Sequence, residues 1–400
     1  MPYDARVITH KPAFRRRSLT STLLFIMALM MSVISAPSAS AETSDCEVSA
    51  SGRYETCFIY GAGIQDPLLV SKIKGKIDAT AAAAAAGETG DHYIRIALYN
   101  WFADGGGTDI AKSLVEAQRS GVSVRVVIGP SDSGIRDQLV DGGIDVKYCG
   151  NSCMDTDHGS MHNKFFLIKK GDTELVLQSS SNLGAFQAQH AQNLLISRDD
   201  DALFSAYVNY WRRLYAGSWT YDGKTWDTNA ERMIEGTYDS SKAYFYPQPG
   251  SSRVADILGN VTACGPGNDR IWMEASELDN SDYSRGIMAQ LNRLRLIGCD
   301  VKIVIQKQRG YDVLKGYGVE ESDIHCDGWS HNKLLLIDAK YAGEWRKAVF
   351  VGSYNITENS AYRANDAMLR IIDGSVTNRY INQFQALWMN PHTCDAPDEG

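Results

Sequence analysis

The chain has 400 residues, of which 44% are hydrophobic, and a formal net charge of −8. This length and apolar content suffice for one large core or two medium-sized cores, and they exclude a disordered or collagen-like protein. The acidic balance argues against sequence-independent nucleic-acid binding, because such binding depends on Lys and Arg at the phosphates.

The first 41 residues have the features of a cleavable signal peptide. Arg15, Arg16 and Arg17 precede an apolar segment, "LLFIMALMMSVI", and Ala39–Ala41 offers a small-residue cleavage site before Glu42. The apolar segment is shorter than the roughly 20 residues of a membrane-spanning helix. We therefore expect a secreted, extracellular protein. An uncleaved membrane anchor is the alternative, and the export route, Sec or twin-arginine, stays open.

The first half of the remaining chain predicts alternating helices and strands. Helices are expected at 66–86, at 105–121 with Thr108 as N-cap, at 135–143 and at 202–217. Buried strands are expected at 92–101, 122–129, 144–149 and 193–199, with a hairpin over 163–182 that turns at Gly171–Asp172.

The second half repeats this order, which indicates an internal duplication. Strands are expected at 270–276, 299–306 and 367–373, a hairpin at 332–355, and helices at 284–298 and 376–390. Residues 220–265 read as a long connection between the repeats. We expect a first lobe over 42–230, with an N-terminal extension, and a second lobe over 231–400.

All eight cysteines follow the predicted cleavage site, and their even number in an exported chain predicts disulfides. Plausible local pairs are Cys46 with Cys57 and Cys149 with Cys153. A zinc site of Cys149, Cys153, His158 and His162 is the disfavoured alternative, because its Cys–His spacings are shorter than those of ordinary zinc sites. We expect no metal.

One short pattern occurs in both repeats, as "MHNKFFLIKK" from Met161 and "SHNKLLLIDA" from Ser330. Residues two apart on a strand share a face, so His162 and Lys164 point the same way, as do His331 and Lys333. The apolar residues that follow suit a strand buried on both faces. Buried cations need a partner, and a bound phosphate would supply it.

Two such pairs around one phosphorus suffice for metal-free and cofactor-free cleavage of a phosphodiester. One neutral histidine attacks phosphorus, and the other donates a proton to the leaving oxygen and later takes one from water. The lysines stabilise the charge of the transition state. The return strand of each hairpin ends in a polar cluster that could add neutral donors, namely Ser180, Asn182, Ser353 and Asn355.

The pattern His-x-Lys, four residues, Asp, followed by Gly-Ser-x-Asn, resembles the HKD motif of the phospholipase D superfamily over residues 92–390. The resemblance implies a duplicated α/β/α sandwich of two pseudo-symmetric lobes, with one active site at their interface and a phosphohistidine intermediate. An exported chain with two motifs looks most like the secreted bacterial phospholipases D. The resemblance makes His162 the nucleophile and His331 the general acid and base.

Two positions depart from the family pattern. Lys169 stands where the family has an acid, as at Asp338, and we expect this residue to shape the hairpin, with Asp172 as a possible substitute. The resemblance also implies a carboxylate that orients each histidine, 11 residues past the motif Asn. Asp366 stands there in the second repeat and Asn193 in the first. If Asp366 served His331, His331 would be the more basic imidazole and the alternative nucleophile.

The sequence thus predicts a secreted phospholipase D-type phosphodiesterase that hydrolyses glycerophospholipid headgroups, with transphosphatidylation as a further activity. Its partner would be phospholipid at a membrane or micelle surface, with Trp101 and Trp329 as candidates to flank the lipid. We expect a monomer with no stable protein partner. The alternatives are a metal-independent endonuclease of the same superfamily, which is disfavoured by the acidic charge, and a binding protein with a degenerate first motif.

Overall fold

The computed structural model describes residues 44–154 and 158–395. The predicted signal peptide, residues 1–41, lies outside the described residues. Within these two ranges, no helix combines the length and the apolar character that crossing a membrane requires.

The first part of the chain forms an eight-stranded sheet with four helices. Its strands are β1 Ser44–Val48, β2 Tyr54–Tyr60, β3 His92–Leu98, β4 Ser123–Ile128, β5 Asp145–Tyr148, β6 Lys164–Lys170, β7 Thr173–Ser179 and β8 Ala191–Arg198. The helices are α1 Leu68–Ala85, α2 Gly107–Arg119, α3 Ser133–Asp141 and α4 Asp201–Ala216. The spatial order is β1-β2-β8-β7-β6-β3-β4-β5, with β3, β4 and β5 parallel to one another.

The second part forms a nine-stranded sheet, after a small hairpin of β9 Thr220–Tyr221 and β10 Lys224–Thr225. Its strands are β11 Met233–Glu235, β12 Ser241–Phe245, β13 Val261–Ala263, β14 Arg270–Ala275, β15 Asp300–Ile305, β16 Ile324–Cys326, β17 Lys333–Tyr341, β18 Glu344–Gly352 and β19 Ala367–Ile371. The helices are α5 Arg253–Gly259, α6 Asp282–Leu296, α7 Gln308–Gly316, α8 Glu358–Tyr362 and α9 Gly374–Met389.

The two sheets match strand for strand. The second has the order β11-β12-β19-β18-β17-β14-β15-β16, so that the hairpin β17–β18 takes the place of β6–β7 and β14 takes the place of β3. The additional strand β13 pairs with β17 outside this order. This correspondence confirms the predicted duplicated α/β fold.

The helices form three layers around the two sheets. Helices α4 and α9 pack between the sheets, where their aromatic residues Tyr207, Tyr380 and Phe384 meet apolar residues of both. Helices α1 to α3 cover the outer face of the first sheet, and α5 to α7 cover that of the second. The central strands β6 and β17 are therefore buried on two faces, which explains their uninterrupted apolar sequences.

Some elements differ from the prediction. The N-terminal hairpin β1–β2 and most of the structure in 220–265 were not predicted, because these strands are short and follow polar, turn-rich sequence. Strand β12 in this region belongs to the second sheet, beside β19. The prediction of Thr108 as a helix cap was wrong: the helix begins at Gly107, and the Thr108 hydroxyl donates to the carbonyl oxygen of Ala103 at 2.6 Å.

All eight cysteines form disulfides. The predicted pairs Cys46–Cys57 and Cys149–Cys153 are confirmed, and the structure adds Cys264–Cys299 and Cys326–Cys394. The disulfide between Cys149 and Cys153 removes two of the four residues of the alternative zinc site.

Candidate active site

Each His-x-Lys pattern lies where a central strand begins. Lys164 and Lys333 are the first residues of β6 and β17, and His162 and His331 precede them by two positions. Both lysines are buried, and both histidines line one cleft of about 1100 Å³. The structure therefore brings together four side chains from patterns 169 residues apart.

The two patterns meet because each one is hydrogen-bonded to the opposite half of the chain. The backbone amide of His162 donates to the carbonyl oxygen of Asn365 at 2.9 Å. In the same way, the amide of His331 donates to the carbonyl oxygen of Ala191 at 3.0 Å. The second half thus presents the segment before β19 to His162. The first half presents the start of β8 to His331.

Asp366 holds the ring of His162. Its Oδ1 lies 2.9 Å from Nδ1 of His162 and also accepts a hydrogen bond of 2.6 Å from the hydroxyl of Ser353. Because an ionised carboxylate only accepts, Nδ1 carries the hydrogen and Nε2 keeps its lone pair. Burial, and next the charge of Lys164, lower the pKa of His162, and the carboxylate of Asp366 opposes this shift. The neutral, oriented imidazole that results is suited to nucleophilic attack.

Gln192 takes the corresponding position at His331. Its Oε1 lies 3.2 Å from Nδ1 of His331 and accepts a hydrogen bond of 2.8 Å from the hydroxyl of Ser180. Burial, followed by the charge of Lys333, holds the pKa of His331 well below its usual value. A neutral amide orients this ring but leaves the charge of its protonated form uncompensated, unlike the carboxylate at His162.

The two lysines are buried amines beside the histidines. Nζ of Lys164 donates to the carbonyl oxygen of His162 at 2.9 Å, and Nζ of Lys333 donates to that of His331 at 2.8 Å. Burial lowers the pKa of Lys164 to about 7, and burial together with the charge of Lys164 lowers that of Lys333 strongly. Among the described residues, neither amine forms an ion pair, so a bound anion in the adjoining cleft would balance their charges.

The sequence-based assignment of the orienting carboxylates was wrong in two respects. Asp366 contacts His162 of the other half rather than His331, and the residue that matches it is Gln192 rather than Asn193. The connection after Asn182 is one residue shorter than the connection after Asn355, so the equal spacing of 11 residues was misleading. Asn193 instead donates from Nδ2 to Oδ1 of Asn332 at 2.6 Å, behind the cleft.

The remaining predicted residues divide into two groups. Asn182 and Asn355 line the cleft, where their side-chain oxygens accept from the amide of Asn100 and the hydroxyl of Ser276. Ser180 and Ser353 lie behind the histidines and bind Gln192 and Asp366. Asn182 and Asn355 could therefore contact a phosphate. Ser180 and Ser353 instead position the side chains that hold the two histidine rings.

Sequence reasoning missed several residues of the cleft. His190 lies beside His331, with 6.0 Å between ring centroids, and Tyr99 lies beside His162 at 5.0 Å. Glu277 and Lys307 also line the cleft, just after strands β14 and β15. The signal that could have found them is their place at the carboxyl ends of parallel strands, where the sites of such sheets lie.

A buried carboxylate supports the second motif from behind. Glu274 accepts hydrogen bonds from Nδ2 of Asn332 at 2.9 Å and from the hydroxyl of Ser330 at 3.1 Å, and these residues flank His331 in sequence. Burial raises its pKa to about 7. Its place within the predicted strand at 270–276, which is largely apolar, is the signal that could have indicated its burial.

The two tryptophans that the sequence suggested as lipid contacts differ in their burial. Trp101 is fully buried and donates from Nε1 to the carbonyl oxygen of Gly107 at 3.0 Å, so the suggestion that it flanks a lipid was wrong. Trp329 is half-buried and packs against His190 at 5.4 Å between centroids. It remains a candidate for the rim of the cleft.

The family description "Cardiolipin synthase, PLD-like domain" matches residues 86–235 and 267–388, which is more than half of the chain. The chain belongs to the phospholipase D superfamily. The members of this superfamily are phosphodiester-acting enzymes. A comparison with curated protein sequences gave no match.

Two solved structures show the same fold. Phosphatidylserine synthase from Haemophilus influenzae Rd KW20 superposes with a TM-score of 0.55 over 85% of this chain and 87% of that one, at 11% sequence identity. Polyphosphate kinase from Porphyromonas gingivalis gives a TM-score of 0.51 over 76% of this chain, at 13% identity. This chain spans 47% of that kinase chain. At such identities the likeness concerns the fold alone.

Lys169, the departure from the phospholipase D motif, lies at the far end of β6 and forms a salt bridge of 2.6 Å with Glu174, its neighbour across the hairpin. In the second lobe, Asp338 has Lys347 as the matching neighbour at 3.8 Å and also binds Arg270 at 2.9 Å. Both hairpins thus keep a cross-strand pair of opposite charges, with the signs exchanged. Glu174, rather than Asp172, compensates for the change.

Proposed function

We propose that this protein is an exported phospholipase D-type phosphodiesterase that hydrolyses glycerophospholipid headgroups through a phosphohistidine on His162. The observation that carries the proposal is the meeting of both histidines in one cleft, with a buried lysine beside each and with a carboxylate on the ring of His162 but not on that of His331. The signal-like N-terminus and the four disulfides support export.

In the first step, Nε2 of His162 attacks phosphorus. The P–N bond forms while the bond from phosphorus to the headgroup oxygen breaks, and His331 gives its proton to that oxygen. The positive charge that develops on His162 is stabilised by Asp366. Lys164 and Lys333 bind the non-bridging oxygens, with the amides of Asn182 and Asn355 within the same cleft.

In the second step, the neutral His331 takes a proton from water, whose oxygen attacks phosphorus as the P–N bond breaks. Phosphatidic acid is released and His162 regains its lone pair. His331 must therefore gain and lose a proton in each turnover. The negative charge of the bound substrate offsets the charges of the two lysines, so it raises the pKa of His331 into the range in which it carries the proton.

The cleft combines charges that suit a zwitterionic headgroup. Glu277 lies near Lys333 and is exposed, and no hydrogen bond or ion pair to its carboxylate exists among the described residues. It can therefore bind the ammonium group of ethanolamine or choline while the lysines bind the phosphate. The carboxylates of Glu277, Asp279 and Asp395 on the cleft wall oppose the charges of Lys307 and Arg309, which weakens the attraction for a polyanion such as DNA.

The test is headgroup release from vesicles of phosphatidylcholine or phosphatidylethanolamine in EDTA, with and without an added primary alcohol. We expect release by the wild type, transfer to the alcohol, and at least a 10³-fold loss for His162→Ala. Digestion and mapping of the trapped intermediate at alkaline pH, where the P–N bond survives, should give label on His162. Label on His331, or cleavage of DNA with no release from lipid, would overturn the proposal.

A further inference from the structure

A second pocket lies on the same face of the first sheet as α4, away from the histidines. This arginine pocket has a volume of about 190 Å³ and is lined by Arg95, Arg125, Arg212, Tyr93, Trp211 and Tyr215, among others. Arg95 precedes Leu98, the register partner of Lys164, by three residues on β3. This separation is about 10 Å along the strand, so the pocket is distinct from the cleft.

The three guanidinium groups face one another from three elements. Arg95 on β3 and Arg125 on β4 are direct register partners, and Arg212 comes from α4 across the pocket. Like charges at opposite positions of neighbouring strands are unfavourable. Burial, with the charges of Arg125 and Arg212 in addition, lowers the pKa of Arg95 to about 10.

The pocket lacks enough negative charge to balance these arginines. Asp145 lies 3.6 Å from Nε of Arg125, and it also accepts a hydrogen bond of 2.5 Å from the hydroxyl of Tyr215. In the part of the chain that the structure describes, Arg95 and Arg212 form no ion pair. Arg95 donates only to the carbonyl oxygens of Ile94 and Ser123 and to the Ser123 hydroxyl. Three cations therefore meet one carboxylate.

Aromatic rings hold the guanidinium groups in place. Arg95 lies 4.9 Å from the ring centroid of Tyr93 and 5.4 Å from that of Trp211. Arg125 lies 5.9 Å from Tyr215, and Arg212 lies 5.7 Å from Tyr221. Stacking of this kind fixes the planar groups without using N–H donors, so the donors that are not bonded to Ile94, Ser123 or Asp145 remain for an oxyanion.

The second lobe has different residues at the two matching strand positions. Trp272 stands in place of Arg95, and Lys302 stands in place of Arg125. Lys302 is neutralised by Asp300 at 2.8 Å, and Trp272 is buried. The arginine pair of β3 and β4 is therefore not a requirement of the duplicated fold.

We propose that the arginine pocket binds a phosphate group. Two or three guanidinium groups around one anion are the arrangement that favours bidentate binding of phosphate. The phosphate can belong to a soluble ion or to the monoester headgroup of phosphatidic acid, which is the product of the proposed reaction. Occupation of the pocket would not involve the histidines.

The first experiment is calorimetric titration of the full protein with inorganic phosphate. We expect Arg125→Gln/Arg212→Gln to weaken this binding at least tenfold, because both changed side chains line the pocket and both are exposed enough to be replaced without unfolding. Arg119→Gln/Arg136→Gln makes the same charge change on the same lobe and should leave it unaltered. Hydrolysis of a soluble phosphodiester should be the same in both double variants.

The titration is repeated in Lys164→Met, in which the cleft is impaired. Phosphate binding that survives there and disappears in the arginine variant supports the pocket. Binding that is lost in Lys164→Met and unchanged in the arginine variant would place all phosphate in the cleft and overturn the proposal. No phosphate binding by any variant would overturn it as well.

A second experiment distinguishes the two sources of phosphate. Sedimentation is measured with phosphatidylcholine vesicles that contain or lack phosphatidic acid. Binding that depends on phosphatidic acid, is competed by inorganic phosphate and falls in the arginine variant identifies the lipid headgroup. Equal sedimentation of both proteins, with phosphate binding lost in the variant, identifies a soluble phosphate.

Discussion

Two histidines with nearly identical local sequence differ in one acceptor atom. Nδ1 of His162 faces the carboxylate of Asp366, and Nδ1 of His331 faces the amide oxygen of Gln192. A carboxylate stabilises the imidazolium that forms when a histidine becomes bonded to phosphorus. An amide leaves the protonated ring easier to deprotonate, which suits a group that must give its proton to a leaving oxygen.

Gln192→Glu should therefore shift the pH dependence of the reaction. The new carboxylate favours the protonated form of His331, so its pKa rises and the alkaline limb of kcat/KM moves to higher pH by about one unit. Gln189→Glu makes the same change of charge three residues away, on a partly exposed residue, and should leave the limb in place. Identical profiles for both variants would show that Gln192 does not set the proton affinity of His331.

Glu277→Gln should change substrate binding more than chemistry. We expect KM for phosphatidylethanolamine to rise about 2- to 5-fold with kcat nearly constant, because an exposed ion pair contributes about 0.2–1 kcal/mol. Glu116→Gln, on the exposed face of α2, is the control. An equal effect on phosphatidic-acid esters that have an uncharged headgroup would show that Glu277 does not bind the ammonium group.

The four His and Lys residues of the site could be identified from sequence, because the chemistry requires both residue types in both repeats. The residues that hold the rings could not. Asp366 serves the histidine of the opposite half, and a spacing rule within one repeat cannot show such a crossed contact. The connection after Asn182 is also one residue shorter than the connection after Asn355. An equal spacing therefore pointed to Asn193 instead of Gln192.

The hairpins show how an element tolerates a change within a motif. Lys169 and Glu174 form one cross-strand pair, and Asp338 and Lys347 form the other with reversed signs. Opposite charges at these paired positions stabilise a hairpin, and either strand can carry the acid.

Lys169→Asp should therefore destabilise the fold by about 1 kcal/mol, since it places a carboxylate opposite Glu174. Lys169→Asp/Glu174→Lys should recover most of that loss, and kcat of the double variant should equal that of the wild type. Urea denaturation and a double-mutant cycle measure the coupling. A large loss of activity in the double variant would instead assign Lys169 to the chemistry.

The disulfide Cys326–Cys394 should contribute more stability than Cys149–Cys153. The sequence separations are 68 and 4 residues, which correspond to about 4 and about 2 kcal/mol of lost entropy in the unfolded chain. Replacement of each pair by serine and denaturation in urea measure the difference. A greater loss for the Cys149–Cys153 pair would show that local geometry outweighs chain entropy.

At the scale of elements, the sequence predicted those with strong periodicity. The helix at Asp201–Ala216 and the strands around His162 and His331 were found because their apolar patterns are long. Strand β12 was missed because its five residues have a mixed composition and join the sheet by pairing with β19, more than 100 residues later. Such a strand depends on tertiary contacts rather than on local preference.

For the whole molecule, the two buried amines make stability depend on pH. The pKa of Lys164 is about 7 in the folded protein and 10.5 for an ordinary lysine. In this interval the unfolded chain binds more protons, so the free energy of unfolding rises with pH, by up to about 1.4 kcal/mol per unit for one amine. The penalty is complete below pH 7 and disappears near pH 10.5.

Urea denaturation between pH 7 and 9 should show this rise in the substrate-free protein. Lys164→Met should make the rise smaller, because the variant has no amine to protonate at this position and only the contribution of Lys333 remains. Lys112→Met, on the exposed face of α2, should keep the slope of the wild type. Parallel slopes for all three proteins would indicate that Lys164 keeps an ordinary proton affinity in the fold.

The crossed contacts between the halves also bear on how the sequence can change during evolution. After a gene is duplicated and fused, one repeat can usually accumulate substitutions while the other preserves the ancestral role. Here the amide of His162 binds Asn365 and that of His331 binds Ala191, so each repeat completes the other. Inherited substitutions near Asn365 and Asp366 are therefore selected by the reactivity of His162, and the two repeats are constrained to diverge together.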